Sequence, residues 1–371
     1  MKQKLLLFFR QERVLCIAAL CALLSMIAVP PSKEYASYFN WQVLGLLWCL
    51  MAVVACFRSC NLFEWLAHYL LADSKTDRRL LSVLLVMLPF FISMAVTNDV
   101  ALLTFVPFTL LILEKADCQQ CAIPMIVLQT IAANLGSMAT PIGNPQNLYL
   151  YSFYGLSPRE FIVTLLPLTT LSLLILAAAA LPILPADLPE LELTPPSAIP
   201  GLYFSIYLGL FALCILSVLR FLPWTFVFAV VFASLLILDR KQLAAPDYSL
   251  LVTFVCFFIF SGNLGNIPAI HHFLADLLAE NTLITSVLAS QIISNVPAAV
   301  LLSEFTEDWR GLLLGVDIGG LGTPVASLAS LISLKFYQRS PDAKLGRYLA
   351  FFLTANAIGL IVLITASKFW S

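Results

Sequence analysis

The feature that most constrains this chain is a polar stretch rich in glycine and proline that lies inside a long apolar segment and occurs twice. The first copy runs from Asn134 to Asn147, and the second runs from Asp317 to Ser330. When the chain is compared with itself at a shift of 183 positions, eight of the 25 pairs from Asn134 onward are identical. About 2 identities are expected by chance in a chain this apolar. A break in an apolar helix has therefore been built twice.

Composition defines the class of protein. The 371 residues are 61% hydrophobic and only 11% charged, whereas soluble globular domains carry about 25% charged residues. We therefore expect a polytopic membrane protein whose main surroundings are a lipid bilayer. A net charge of −1 and the absence of a basic run in the sequence argue against a nucleic-acid partner.

Long apolar segments predict nine full transmembrane passes, since a helix needs about 20 apolar residues to cross a bilayer. Segments 119–151 and 310–334 contain the duplicated stretch and are predicted to be broken helices. Segments 80–113 and 282–303 are interrupted near their middle, which indicates re-entrant helical hairpins. The uninterrupted passes are predicted at 14–30, 41–57, 161–184, 202–219, 222–238, 249–262 and 346–367.

The distribution of lysine and arginine supports this count. With the N-terminus inside, fifteen of the 20 basic residues lie in cytoplasmic segments, as the positive-inside rule requires. The first hairpin then enters from the cytoplasm and the second from outside. The halves 1–184 and 202–371, joined by a linker at 185–201, are thus predicted to be inverted-topology repeats. The C-terminus lies outside the cytoplasmic membrane in this arrangement. Apolar residues at helical spacing predict surface helices at 61–71 and 266–280.

The chemistry of the breaks follows from the bilayer as solvent. Non-helical backbone at membrane depth is tolerated only where protein or a watery cavity satisfies its polar groups, so all four breaks are expected to face one cavity. Freed carbonyl groups can bind a cation, and half-helix N-termini attract an anion. The candidate residues for substrate and ion binding are Thr97, Asn98, Asp99, Gly136, Ser137, Thr140, Pro141, Gly143, Asn144, Asn147, Ser294, Asn295, Asp317, Gly319, Gly322, Thr323 and Ser327.

Asp99 and Asp317 are the carboxylates inside the breaks. A charge at mid-bilayer costs roughly 2.5 to 3.5 kcal/mol, so each is expected to bind a cation, pair with a donor or carry a proton. The alternative is that each only caps the start of a half-helix. Together with Asn98 and Asn295 they form the predicted sodium site. Sodium or a proton is the expected coupling ion, and no other cofactor is expected.

At these residues the chain resembles the ion transporter superfamily that includes citrate transporters, divalent anion/sodium symporters, arsenite permeases and one class of sodium/proton antiporters. The resemblance is carried by the segment from Thr97 to Pro107, by the segment from Ala133 to Asn147 and by Leu62-Phe-Glu-Trp65. It implies that the hairpin tips and broken helices form the site for substrate and coupling ion. It also implies an elevator-type motion against a scaffold, which in the symporters belongs to a homodimer.

The hairpin tips depart from one branch of this superfamily. The dicarboxylate symporters carry Ser-Asn-Thr at both tips, where this chain has Thr97-Asn98-Asp99 and Ser294-Asn295-Val296. The resemblance therefore leaves a dicarboxylate substrate open, and the Asn-Asp pair is closer to the arsenite permease pattern. The added aspartate is equally compatible with proton coupling.

The expected function is secondary active transport of a small citrate-like or dicarboxylate-like anion, coupled to sodium or protons. The alternative is a sodium/proton antiporter or an arsenite-type efflux permease centred on Asp99 and Asp317. An intramembrane enzyme is disfavoured, because neither aspartate has a second carboxylate within a helical turn and the sequence has no His/Glu metal motif near the breaks.

Overall fold

The computed structural model describes residues 12–72, 78–185, 201–340 and 343–369. These residues form helices that are joined by turns, short loops and three short 3₁₀ turns. The predicted linker lies almost entirely outside the described residues. In chain order the helices are α1 Arg13–Ala28, α2 Tyr35–Tyr38, α3 Trp41–Ser59, α4 Leu62–Ala72, α5 Arg78–Ala95, α6 Asn98–Lys115, α7 Ala122–Ser137, α8 Pro145–Phe153, α9 Pro158–Ala180, α10 Gly201–Val218, α11 Trp224–Leu238, α12 Tyr248–Gly265, α13 Pro268–Ile293, α14 Asn295–Leu302, α15 Trp309–Ile318, α16 Leu328–Gln338 and α17 Leu345–Ser367.

The uninterrupted passes are where the sequence places them. In the described part of the chain, seven helical segments are long and apolar enough to cross a membrane, and α1 and α11 contain shorter apolar helices. All seven predicted uninterrupted passes are helices whose bounds differ from the prediction by a few residues. The all-α polytopic fold is thereby confirmed. Helix α9 begins earlier than predicted because Ser157 accepts a hydrogen bond from the Glu160 N–H, and the Glu160 carboxylate accepts one from the Ser157 N–H.

The outer surface of the helix assembly is apolar. Along α1, Ile17, Leu23 and Ile27 are more than half exposed, and Ile358 and Ile361 of α17 are similarly exposed. A soluble protein does not tolerate continuous apolar surface of this kind, whereas hydrocarbon chains solvate it. The polar side chains of the breaks lie instead in the interior.

The first hairpin consists of α5 and α6, and its tip is at Val96 and Thr97. Thr97 is extended, and its hydroxyl accepts a hydrogen bond from the Val100 N–H as the cap of α6. Both arms are tied to α7 by one side chain, because Gln129 Nε2 donates to the Leu85 carbonyl oxygen at 2.7 Å and to Thr109 Oγ1 at 2.6 Å.

The second hairpin begins in the middle of α13. Asn281 is non-helical, with φ −164° and ψ 91°, and its Oδ1 accepts a hydrogen bond from the Ile284 N–H. This kink separates the predicted surface helix from the ascending arm of the hairpin. The tip is Ser294, whose φ of 75° and ψ of 153° are conformations that residues with a side chain rarely adopt. Helix α14 is the second arm.

The two broken helices are also formed as predicted. Helices α7 and α8 are joined by the non-helical segment 138–144, and α15 and α16 are joined by 319–327. Pro145 occupies the first position of α8, where a missing N–H costs nothing. In the second loop Gly322 has φ +107°, which glycine adopts without strain.

Candidate functional site

Each hairpin tip is hydrogen-bonded to the broken-helix loop of its own half. The Asn98 N–H donates to the Gly143 carbonyl oxygen at 3.2 Å, and the Asn295 N–H donates to the Ala326 carbonyl oxygen at 2.9 Å. Gly143 and Ala326 are 183 positions apart, the shift that aligns the duplicated stretch. The same contact is therefore made in both halves.

A second contact recurs in the same way. Thr140 Oγ1 donates to the Met94 carbonyl oxygen at 2.5 Å, and Thr323 Oγ1 donates to the Gln291 carbonyl oxygen at 3.3 Å. Met94 and Gln291 are both four residues before the tip asparagine of their hairpin. The duplicated threonine therefore has one role, which is to attach the loop to the hairpin.

A third equivalent pair crosses between the halves. Ser327 Oγ donates to Asn134 Oδ1 at 3.1 Å, and Asn144 Nδ2 lies 3.4 Å from Asp317 Oδ1. Ser327 corresponds to Asn144, and Asp317 corresponds to Asn134, at the shift of 183 positions. In each broken helix, the residue just before the second segment (Asn144 or Ser327) therefore contacts a residue near the end of the first segment of the other broken helix (Asp317 or Asn134). At that point one half has a neutral amide and the other has a carboxylate.

The Asp317 carboxylate is enclosed by amide donors from the start of α8. The residue is 2% exposed. Gln146 Nε2 lies 3.4 Å from Oδ1, and Asn147 Nδ2 lies 3.0 Å from both carboxylate oxygens when its nitrogen faces the acid. Asn144 completes the set. All three partners donate, and these hydrogen bonds offset part of the cost of burying the carboxylate.

Asn134 links the first hairpin to the second half. Asn98 Nδ2 donates to Asn134 Oδ1 at 2.9 Å, and Asn134 Nδ2 lies 3.4 Å from the Gly320 carbonyl oxygen. Asn98 Oδ1 in turn accepts from the Asp99 N–H at 2.9 Å. A connected set of neutral oxygens and amides therefore runs from the first tip to the second loop.

One internal cavity of about 620 Å³ reaches all four interrupted segments. It is lined by Thr97 and Asp99 from the first tip, by Pro145 from α8, by Ser294 from the second tip and by Leu328 at the start of α16. The expectation that the four breaks share a cavity is met by this geometry. The rest of its lining comes mainly from α1, α3 and α12.

Asp99 and Asp317 occupy different environments. Asp99 lines the cavity, and its Oδ1 atom is buried without a hydrogen-bond partner among the described residues. Asp317 does not line the cavity and is enclosed instead by amides at the start of α8. The sodium site at Asn98, Asp99, Asn295 and Asp317 stays a prediction.

The remaining candidates divide into polar and structural residues. Ser137 Oγ accepts from Asn144 Nδ2 at 3.1 Å. A side chain at Gly143 would meet the backbone of Ser137, and one at Gly319 would meet Ser290 and the Gly315 carbonyl oxygen. These glycines act on the site by allowing close packing around it. Pro141 lies in the first loop and is partly exposed.

Three further residues belong to the site although the sequence analysis did not select them: Asn134, Gln146 and Gln291. Asn134 is aligned with Asp317 in the duplicated stretch, so the internal alignment held a signal for it. Gln146 and Gln291 have no counterpart of the same kind, and only their contacts reveal them.

Gln291 holds the second loop in place, which gives a testable prediction. Its Nε2 donates to the carbonyl oxygens of Gly319 and Leu321 at 2.9 Å, and its Oε1 accepts from the Thr323 N–H at 2.9 Å. Gln291→Ala leaves three backbone groups unpaired, so we expect a loss of about 2 to 3 kcal/mol of stability and a lower Tm of the purified protein in detergent.

The matched control is Gln120→Ala, because Gln120 is exposed and its replacement should leave Tm unchanged. A Tm for Gln291→Ala equal to that of the wild type would show that the loop does not depend on this side chain.

A polytopic helical membrane protein with paired helix breaks around an internal cavity has the construction of a transporter. Comparison with known proteins agrees. The family model described as citrate transporter matches residues 5–306, and the chain therefore belongs to the citrate transporter family.

Individual relatives are named as transporters or membrane proteins. The chain is 31% identical over 354 residues to an uncharacterised transporter of Methanocaldococcus jannaschii, covering 94% of this chain and 95% of that protein. It is 31% identical over 308 residues to the inner membrane protein YbiR of Escherichia coli, covering 82% of each. A silicon efflux transporter of Oryza sativa is 30% identical over 139 residues, which are 38% of this chain and 28% of that protein.

Proposed function

We propose that this transporter moves a small anion across the cytoplasmic membrane by secondary active transport, coupled to sodium or protons. The observation that carries the proposal is the single cavity that reaches the start of α6, α8, α14 and α16. Helix N-termini attract negative charge, and four of them at one cavity favour an anionic solute. The breaks contain no lysine or arginine, so the breaks themselves contribute amides, hydroxyl groups and helix dipoles, and the basic side chains of the cavity are those of Arg58 and Lys335.

The coupling cation is proposed to act on Asp317 and Asp99. An ionised acid at this depth costs roughly 2.5 to 3.5 kcal/mol when it is uncompensated. The partners of Asp317 are neutral amides, and Asp99 Oδ1 has no partner in the described residues. A bound sodium ion or proton would supply the missing positive charge in each case.

The cavity walls are consistent with an elevator-type motion. Part of the cavity lining comes from the hairpins and broken helices, and another part comes from α1, α3 and α12. We propose that the first group moves against the second, and that the second group belongs to a homodimer scaffold. Arg58 and Lys335, which the positive-inside rule assigns to the cytoplasm, also line this cavity. We therefore propose that it opens inward, with the N-terminus inside and the C-terminus outside.

The test is uptake of labelled citrate, succinate and lactate into proteoliposomes, driven separately by an inward sodium gradient and an inward proton gradient. We expect at least one of these anions to accumulate under one of the gradients. The effective gradient identifies the coupling ion. Liposomes without protein are the control, and no uptake by folded protein under either gradient contradicts the proposal.

The alternative is a sodium/proton antiporter or an arsenite-type efflux permease. The unpartnered Asp99 oxygen favours it, as does the partial similarity to a silicon efflux transporter. In this case everted vesicles should accumulate arsenite in response to a proton gradient, or sodium alone should change the internal pH. If neither occurs while anion uptake does, the alternative is excluded.

A further inference from the structure

We propose that the transported anion is amphipathic. Its carboxylate binds at Arg58 and Lys335, and its hydrocarbon body packs on the apolar lining of the cavity between these residues and the hairpin tips. This inference rests on the proposed function and names the class of its substrate, which is a monocarboxylate with an apolar chain.

The side of α3 that lines the cavity is apolar and ends in a basic residue. Arg58 is in the last turn of α3, and its side chain is exposed. Residues spaced by three or four positions form one stripe on a helix. The stripe of α3 in the cavity consists of Leu47, Leu50, Met51, Val54, Ala55 and Arg58. The guanidinium group therefore stands at one end of an apolar surface.

Helix α16 repeats this pattern. Its lining residues are Leu328, Leu331, Ile332, Leu334, Lys335 and Gln338. Leu328 is the first residue of α16, next to the break, and Lys335 is in the last turn. The two are seven positions apart, which is about 10 Å along a helix. Two helices, one from each group that is proposed to move against the other, thus present an apolar stripe that leads to a basic side chain.

The charged groups of Arg58 and Lys335 are open to a solute. In the part of the chain that the structure describes, neither group forms an ion pair or a hydrogen bond, although Glu12 and Asp247 line the same cavity. Asp247 Oδ1 accepts a hydrogen bond from the Leu250 N–H at 2.9 Å instead. Charges beside an apolar surface are screened less than charges in bulk water. A carboxylate that enters the cavity is therefore attracted to these two side chains.

The section between the basic residues and the tips favours an apolar body. The stripes of α3 and α16 offer hydrocarbon and one thioether there. On the α12 side, the Thr253 hydroxyl already donates to the Ser249 carbonyl oxygen at 2.7 Å. A solute hydroxyl or second carboxylate would lose its hydrogen bonds to water in this section, whereas each CH₂ group gains by leaving water.

The dimensions fit a chain of about six carbons. Such a chain is roughly 7 Å long, so it ends before the break, where the coupling cation is proposed to act on Asp99. The cavity volume of about 620 Å³ also suits an organic molecule better than a single inorganic ion.

The experiment varies the hydrocarbon and the charge separately. Butyrate and hexanoate carry one negative charge at neutral pH and differ by two CH₂ groups, hexanamide has the body of hexanoate without its charge, and lactate has the charge with a short polar body. Each is titrated into the purified full-length protein in detergent with sodium present, and the rise in Tm reports binding. We expect hexanoate to act at a concentration roughly tenfold below that of butyrate. Lactate should require more than butyrate, and hexanamide should have little effect.

Variants test both parts of the site. Arg58→Gln and Lys335→Gln should each weaken hexanoate binding roughly tenfold, because a charge-assisted hydrogen bond is lost. Met51→Gln keeps the length of the side chain and should reduce the advantage of hexanoate over butyrate. Arg339→Gln is the matched control, since Arg339 is exposed, follows Lys335 by one turn and does not line the cavity. It should bind hexanoate as the wild type does.

The outcomes separate this inference from the function on which it rests. Equal binding of butyrate and hexanoate, an equal effect of hexanamide, or wild-type binding by the double variant Arg58→Gln, Lys335→Gln would overturn the amphipathic site while uptake of citrate, succinate or lactate still stood. Labelled hexanoate is added to the same uptake assay. If no labelled anion enters the proteoliposomes, hexanoate included, the proposed function fails and the assignment of this substrate class fails with it.

Discussion

Asp317→Asn is expected to abolish coupled transport by a protein that remains folded and inserted. The substitution keeps the shape of the side chain and one acceptor oxygen, so part of the enclosure by Asn144, Gln146 and Asn147 survives. It removes the negative charge to which the coupling cation is proposed to bind. Breaking a buried charge pair typically costs about 3 kcal/mol or more, which corresponds to a roughly hundredfold loss of cation affinity.

The measurement is the initial rate of gradient-driven uptake, compared with the Tm and the amount of protein in the same liposomes. We expect uptake to fall roughly a hundredfold with Tm nearly unchanged. Asp276→Asn controls for removal of an aspartate, because Asp276 is exposed and precedes the Asn281 kink, in the part of α13 predicted to be a surface helix. Uptake by Asp317→Asn at the wild-type rate would mean that the buried acid has only a structural role.

Gly136→Ala is expected to prevent stable folding, although it adds a single methyl group. Gly136 lies on α7 where this helix crosses the first hairpin, and a Cβ atom there would lie 2.7 Å from the carbonyl carbon and 2.8 Å from the Cα atom of Phe90. Both are backbone atoms of α5, so no side chain can turn away to make room. The two helices would have to separate, at a cost of about 3 kcal/mol.

The variant is compared with Gly209→Ala in α10, where an added Cβ atom has no neighbour within 4 Å among the described residues. Alanine is the better helix former by about 1 kcal/mol, so Gly209→Ala should be neutral or slightly stabilising. We expect Gly136→Ala to give a much lower yield of monodisperse protein and a lower Tm. Equal yield and Tm for both variants would contradict the close approach of α5 and α7.

The sequence was most informative where the bilayer restricts what a chain can do. Apolar segments of about 20 residues have one stable form in hydrocarbon, which is why α3, α10 and α17 lie close to their predicted bounds. Polar interruptions of such segments, near Thr97 and Ser294, were predicted to be helix breaks because a membrane tolerates non-helical backbone only where the protein or a cavity satisfies it. The inverted orientation of the halves and the sidedness of the termini stay predictions.

The grouping of the site residues was less predictable. Asp99 and Asp317 were predicted to contribute to one ion site, which stays a prediction, and their different surroundings could not be predicted: Asp99 lines the cavity and Asp317 is enclosed by amides of α8. Spacing along the chain does not reveal this, because the partners of Asp317 are more than 160 residues away. Gln291 could not be selected from the sequence either, because its role depends on hydrogen bonds to the loop 319–327, which is distant in the sequence.

The sequence by itself determined that this protein is a polytopic helical membrane protein with a duplicated helix break, because the cost of unpaired backbone in lipid leaves few alternatives. Only the tertiary structure decided which half supplies which chemistry. It surrounded Asp317 with three amide donors, whereas Asn134, at the equivalent position, accepts hydrogen bonds from Asn98 and Ser327. The physical reason is that hydrogen bonding acts over about 3 Å. Contacts across the two halves therefore exist only after both halves have packed together.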